Sequence, residues 1–158
     1  GKDLYLLPYD GEPRLLEDSA LLRSELFTTL NKYDPRSVTV FIDACYSGIS
    51  RDDEMLLADA RPISIVPLEQ DVPENFTVFT ASSGSEISGS LPEAKHGLFS
   101  YFLMKGLEGE ADSNSDQQIT AGELHAYVQG KVKRQAIRLG REQTPQLQGD
   151  KDRVLVQW

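Results

Sequence analysis

The stretch that decides the fold of this 158-residue chain is Val38-Thr39-Val40-Phe41-Ile42-Asp43-Ala44-Cys45-Tyr46-Ser47-Gly48. Apolar and β-branched residues dominate its first five positions, a pattern typical of a strand covered on both faces in a parallel sheet. Small polar residues and Gly48 then end the apolar run. We therefore predict a buried strand over Val38–Ile42, with a turn directly after it.

Alternating strand and helix patterns along the rest of the chain favour the α/β class. Further strands are predicted at residues 3–9, 63–68, 76–80 and 153–156. Helices are predicted from residue 18 or 19 to about 32, over 98–107, and from 120 to about 139. The serine- and glycine-rich stretch 81–90 predicts a mobile loop over the crevice at the strand ends. With no internal repeat or boundary visible, residues 1–158 are expected to form one domain.

The only cysteine, Cys45, follows the predicted strand Val38–Ile42 by three residues. In open α/β sheets the reactive crevice lies beyond the carboxyl ends of the strands, so this is a favourable place for a nucleophile. A lone cysteine is also often no more than a small buried apolar side chain. Position alone leaves both interpretations open.

Composition excludes some classes of function. The formal net charge of −9 argues against a nucleic-acid partner, which would require a basic face. The basic run 131–141 is interpreted as the solvated surface of a helix. No apolar stretch approaches the ~20 residues needed to cross a bilayer, so we expect no membrane partner. A single cysteine fits a reducing compartment, and we expect a cytoplasmic protein; the alternative is a secreted domain without disulfides.

Asp43-Ala44-Cys45-Tyr46-Ser47-Gly48 after a hydrophobic strand resembles the nucleophile motif of caspase-like cysteine peptidases, specifically of the metacaspase and bacterial orthocaspase branch. Segments 4–10, 79–83, 96–103 and 143–146 resemble further landmarks of the bacterial members, in the same order. The resemblance covers nearly the whole chain. It implies a caspase-like three-layer sandwich with a mostly parallel sheet flanked by helices, of which this chain forms the C-terminal part.

The resemblance also implies roles for two residues. Cys45 would attack the peptide carbonyl, and Asp43 would line the pocket that selects arginine or lysine before the cut. Caspases that cut after aspartate carry an arginine after the cysteine, where this chain has Tyr46. Asp43 lies two positions before Cys45, so along a strand both side chains point to the same side of the sheet. The alternative is that Asp43 fixes the turn by accepting backbone hydrogen bonds.

The histidine that the resemblance implies belongs to a His-Gly pair upstream of segment 4–10. The histidines present, His96 and His125, both follow Cys45. His96 precedes a glycine but opens an apolar helix, and His125 lies inside an amphipathic one. We therefore expect the base to come from an upstream segment or subunit. The alternative is a non-catalytic caspase-like module that binds calcium or a partner.

A separate signal lies in the acidic stretch 112–123. Oxygen-bearing side chains at positions 1, 3 and 5, an apolar residue at 8 and a glutamate at 12 resemble an EF-hand calcium loop. The candidate ligands are Asp112, Asn114, Asp116, Gln118 and Glu123. Position 6, normally glycine, is Gln117. The same stretch reads as a capping box from Thr120 to Glu123, and the sequence leaves both interpretations open. The family resemblance separately suggests calcium near Asp52 and Asp53.

Overall fold

The computed structural model describes residues 4–8, 10–12, 14–44, 72–83, 86, 90–91 and 96–158. All elements and contacts below belong to these residues. Cys45, Asp52, Asp53 and the predicted strand 63–68 lie outside them.

The described elements alternate between strands and helices. In chain order they are β1 (Tyr5–Leu6), α1 (Leu16–Ser19), β2 (Leu21–Leu22), α2 (Arg23–Asn31), β3 (Val38–Ile42), β4 (Phe76–Thr80), β5 (Ser90–Leu91), β6 (His96–Gly97), α3 (Leu98–Lys105), a π-helical turn (Gly106–Glu110), β7 (Gln118–Thr120), α4 (Ala121–Arg138), β8 (Gln146–Gly149) and β9 (Val154–Gln157). This order confirms the α/β character predicted from the sequence, and the bounds of β3 and β4 are those predicted.

Strand β4 lies in the middle of a three-stranded sheet, between β3 and β8. Strands β3 and β4 are parallel, paired from Val38 with Phe76 to Ile42 with Thr80. Strand β8 runs antiparallel to β4, with Gln146 opposite Thr80. The described sheet is therefore mixed. The pattern of β8, Gln-Leu-Gln-Gly, has one strongly apolar residue, which explains why the sequence did not predict this strand.

Burial differs between the two parallel strands. All five residues of β4 are buried, whereas Thr39 and Phe41 of β3 are exposed, Phe41 by 40%. The prediction that β3 is covered on both faces is therefore wrong, and continuous burial belongs to β4. Strand β4 is central in the described sheet, where cover from neighbouring elements is most complete. The ring of Phe41 lies against that of Phe79, with centroids 5.1 Å apart.

Opposite faces of β4 belong to two hydrophobic clusters. Phe79 packs with residues of α3 and α4, including Phe99 and Leu124. Phe76 and Val78 pack with α2 through Phe27. Alternate side chains of a strand point to opposite faces, so β4 joins the helices of both clusters to the sheet. The complete three-layer sandwich stays a prediction.

The helix predicted from residue 18 or 19 to 32 is wrong as one continuous helix. The strand Leu21–Leu22 interrupts it and pairs antiparallel with Tyr5–Leu6. The backbone N–H of Arg23 then donates to the carbonyl of Leu4 at 2.8 Å. Cross-strand pairing of these leucines therefore replaces the helical hydrogen bonds predicted from their spacing.

Towards the C-terminus the predictions hold more closely. Helix α4 runs from Ala121 to Arg138, within the predicted bounds, and α3 gives way to the π-helical turn at Gly106. Strand β9 pairs with β7 instead of joining the central sheet. In the part of the chain that the structure describes, no helix combines the length and apolarity needed to span a membrane.

Replacing Gly149 in β8 with alanine should destabilise the fold. Gly149 has a φ of +105°, and an added Cβ would lie 2.2 Å from the carbonyl oxygen of Phe76. Backbone strain and overpacking together predict a loss of about 2–5 kcal/mol in the free energy of unfolding, measurable by urea denaturation.

The matched control is Gly130→Ala in α4, where an added Cβ meets nothing within 4 Å. There alanine should raise stability by up to about 1 kcal/mol because it favours the helix. Equal stability of the two variants would contradict the close approach of β8 to β4.

Candidate functional site

Three strand ends meet at one edge of the central sheet. The carboxyl ends of β3 and β4 lie there because these strands are parallel, and β8 begins there because it is antiparallel. The N–H of Ala81 donates to the carbonyl of Ile42 at 2.9 Å, which continues the pairing one residue beyond β4. Asp43 and Ala81 therefore lie side by side at this edge, where α/β sheets place their binding crevices.

Asp43 connects this edge to helix α3. Its carboxylate is half-buried, and its Oδ2 accepts a hydrogen bond of 2.6 Å from the hydroxyl of Ser100, in the first turn of α3. Hydroxyl-to-carboxylate bonds of this length are charge-assisted and stronger than neutral ones. The orientation of Asp43 is thus set in part by a side chain 57 residues away.

The chain that follows β4 is also held firmly. Ala81 and Ser82 are buried, and the carbonyl of Ala81 accepts a hydrogen bond of 2.9 Å from the side chain of Gln143, which is 1% exposed. This is not the environment expected of a mobile loop. The structure therefore does not support the mobility predicted for residues 81–83, because Gln143, just before β8, holds the start of this segment.

Glu86 forms a second link between the same two segments. Its Oε2 accepts hydrogen bonds from the N–H of Ser83 at 3.1 Å and of Thr144 at 2.6 Å. Its Oε1 accepts one from the Thr144 hydroxyl at 2.9 Å. Burial by itself would raise the pKa of Glu86, but these hydrogen bonds outweigh it and lower the pKa below its ordinary value. The carboxylate form is therefore favoured.

The two histidines occupy different settings. His96 lies in the two-residue strand β6, directly before α3, so it does not open the helix as predicted. His125 lies in α4, where its Nε2 is 3.1 Å from the carbonyl oxygen of Pro145. Gln129 donates to the same carbonyl at 3.0 Å. His125 therefore helps to join α4 to the segment before β8, in keeping with the structural role expected of it.

The acidic loop before α4 is organised by its own hydrogen bonds. The carboxylate of Asp112 accepts from the N–H groups of Asp116 and Gln117 at 3.3 and 3.1 Å. The Asp116 carboxylate accepts from the N–H of Gln118 at 2.9 Å. Gln117 has a φ of +66°, so it adopts the left-handed conformation that glycine provides at position 6 of a calcium loop.

Glu123 uses both carboxylate oxygens within the protein. Oε2 accepts from the N–H and hydroxyl of Thr120, and Oε1 from the N–H and hydroxyl of Ser113. The Thr120 side chain accepts from the N–H of Glu123, which completes the capping box. In the part of the chain described here, no three His, Cys, Asp or Glu side chains are grouped so as to hold a metal ion. The capping box is confirmed, and calcium binding by Asp112, Asn114, Asp116, Gln118 and Glu123 stays a prediction.

Comparison with known proteins places the chain in a family. A family model described as a caspase domain matches residues 1–155. The chain belongs to the caspase domain family. Among curated proteins, nothing matches the chain. The mixed α/β fold is consistent with a caspase domain, and the family suggests a cysteine-peptidase-like function with a protein substrate. The alternative of a non-catalytic module is not favoured.

Of the two expected site residues, Asp43 and Cys45, the structure describes only Asp43. Asp43 lies at the sheet edge, and Cys45 lies outside the described residues. No pattern in the sequence indicates a role for Ser100, Glu86 or Gln143. Segments 96–103 and 143–146 carried the family resemblance, but their contacts with this edge join residues more than 50 positions apart in the chain.

The capping role of Glu123 predicts a pH dependence of stability. Hydrogen bonds from Thr120, opposed by a smaller effect of burial, lower the pKa of Glu123 below its ordinary value of 4.5. A lowered folded-state pKa contributes stability above the unfolded-state pKa, and this stability is lost as pH falls through the folded-state value. Glu123→Gln should therefore destabilise the protein most near pH 6–7 and progressively less below about pH 4.5.

The effect of added calcium on the melting temperature distinguishes the capping-box interpretation of residues 112–123 from the calcium-loop interpretation. If Glu123 only caps α4, millimolar calcium leaves the melting temperature of the wild type unchanged. If the loop binds the ion, calcium at 100 times its Kd stabilises the wild type by roughly 2.7 kcal/mol, and Glu123→Gln removes that effect. A wild type and a Glu123→Gln variant with the same stability at neutral pH would contradict the contribution of the Glu123 charge and its lowered pKa.

Proposed function

We propose that this caspase domain is a cysteine endopeptidase of the metacaspase or bacterial orthocaspase type, which cuts after arginine or lysine. The observation that supports it best is the placement of Asp43 at the carboxyl end of β3, two residues before Cys45 in the chain. A carboxylate oriented by Ser100 at this edge offers a partner for a cationic side chain.

The proposed reaction is acyl transfer through the thiol of Cys45. A free thiol has a pKa near 8.5, so a histidine must accept its proton for the thiolate to form efficiently at neutral pH. The sulfur then bonds to the peptide carbonyl carbon, and the C–N bond breaks as the imidazolium protonates the leaving amine. Water hydrolyses the resulting thioester and releases the thiol.

The base in this proposal is a histidine from an upstream segment or subunit. His125 is already engaged with the carbonyl of Pro145 in the described structure. His96 lies in β6, paired with Leu91. The upstream histidine is therefore a partner of residues 1–158, and activity requires both.

The proposed specificity follows from charge and geometry. Arginine presents a planar fork of donors that matches a carboxylate, and lysine presents a compact cation. Tyr46 stands where aspartate-selective caspases carry an arginine, so the residue directly after the nucleophile is not a cation. A cationic side chain before the cut is thus complementary to Asp43, and an anionic one would be repelled by it.

Cys45→Ala should abolish peptide hydrolysis by the polypeptide that carries both residues 1–158 and the upstream histidine segment. The reason is that no other thiol exists in residues 1–158 to form the thioester. Release of dye from arginine and lysine peptides measures the activity. Hydrolysis by Cys45→Ala at the wild-type rate would exclude Cys45 as the nucleophile.

Asp43→Asn should lower kcat/KM on arginine peptides by about 10–150-fold, because it removes a charge-assisted contact. Asparagine still offers an oxygen to the hydroxyl of Ser100, so the edge should keep its shape and the melting temperature should change little. Ser100→Ala is the complementary variant, which keeps the charge and removes the hydrogen bond. Faster cleavage after aspartate than after arginine by the wild type would rule out this pocket.

A further inference from the structure

We propose that Glu86 and Thr144 form a latch that positions residues 81–83. This segment lies beside Asp43 and forms a wall of the proposed substrate site. The proposal rests on the proposed peptidase function, because it concerns the same sheet edge. Glu86 and Thr144 are positioning residues in it, and neither is required to touch the substrate. The term latch is used below for the hydrogen bonds of the Glu86 carboxylate to Ser83 and Thr144.

The latch joins two segments through a single carboxylate. Glu86 accepts the N–H of Ser83 on one side, and both the N–H and the hydroxyl of Thr144 on the other. The N–H of Glu86 also donates to the carbonyl of Ser83 at 2.9 Å. The side chain is half-buried, so water competes less for these bonds than at a fully exposed site.

The side of the latch that holds Thr144 is anchored in the fold. Gln143 precedes it and is buried, with its side chain bonded to the carbonyl of Ala81. Pro145 follows it, and its carbonyl is held by His125 and Gln129 of α4. The next residue begins β8. Thr144 is thus part of a rigid support formed by α4 and the central sheet.

The side of the latch that holds Ser83 leads to the candidate site. Ala81 lies next to Asp43 through its hydrogen bond with Ile42, and Ser83 is two residues farther along. Without the latch, the hydrogen bond from Gln143 to Ala81 would still fix the start of this segment, but Ser83 would lose its link to the support. Release of the latch should therefore disturb substrate binding beside Asp43 more than it disturbs the β3 end that leads to Cys45.

The chemistry of the latch provides a conservative substitution. Glutamine can keep its oxygen on the two N–H donors and turn its NH₂ group towards the Thr144 hydroxyl, which can also accept. Glu86→Gln therefore preserves the shape of the latch and removes only its charge. Glu86→Ala removes every bond of the side chain. Glu142 is exposed and lies two residues before Thr144, so Glu142→Ala is a matched control for the loss of a carboxylate.

The test is carried out on the polypeptide with the upstream histidine segment, using an arginine peptide and active sites counted by alkylation of Cys45. Glu86→Ala should raise KM about tenfold and change kcat per active site little. Glu86→Gln should restore KM to within about threefold of the wild type, and Glu142→Ala should not change it. Thr144→Val, which keeps the backbone N–H, should give an intermediate KM. The rate of Cys45 alkylation by iodoacetamide should be the same in all of these variants.

A KM in Glu86→Ala and Thr144→Val equal to that in Glu142→Ala would overturn the proposal. A fall in Cys45 alkylation that matches the loss of activity would also overturn it, because the effect would then be general. Hydrogen exchange at the N–H of Ser83 tests the latch without any substrate: it should accelerate in Glu86→Ala and stay slow in Glu86→Gln. A wild type that does not cleave after arginine or lysine refutes the proposed function instead, and the exchange at Ser83 then decides on the latch.

Discussion

The parallel register of β3 and β4 is the constraint on which the rest of the structure depends. It brings Asp43 level with Ala81 at one sheet edge, and the antiparallel pairing of β8 brings Gln143 and Thr144 to that same edge. A slip of one residue would turn every side chain of a strand to the opposite face. Two hydrophobic clusters prevent it, because Phe76 and Val78 fit one face of β4 and Phe79 fits the other.

The features that the sequence predicted are those that a local pattern determines. Strands β3 and β4 were predicted with their bounds, since short apolar runs ended by turn residues carry a strong signal. The start of α4 was predicted from the capping box of Thr120 and Glu123, three residues apart, and the structure contains both of its hydrogen bonds. The motif around Cys45 indicated a caspase-like family, and the match to a caspase domain confirms that family. The metacaspase or orthocaspase type stays a prediction.

The features that the sequence could not predict depend on partners far along the chain. Leu21 and Leu22 have helical spacing, but their pairing with β1 prevails. The hydrogen bond from Ser100 to Asp43 spans 57 residues, and that from Thr144 to Glu86 spans 58. Serine, threonine and glutamate at these positions have no local signature of such contacts. The candidate site is therefore assembled by tertiary contacts around one residue that the sequence did identify, Asp43.

The most direct test of the account is the reaction of Cys45 with two thiol-alkylating peptidyl ketones that differ in one residue, arginine or aspartate before the reactive group. The protein is the polypeptide that contains residues 1–158 together with the upstream histidine segment proposed above, and peptide mass spectrometry locates the adduct. The account predicts an adduct on Cys45, formed at least about tenfold faster by the arginine probe because Asp43 attracts its cation. Absence of an adduct on Cys45, or equal rates with the aspartate probe, would contradict it.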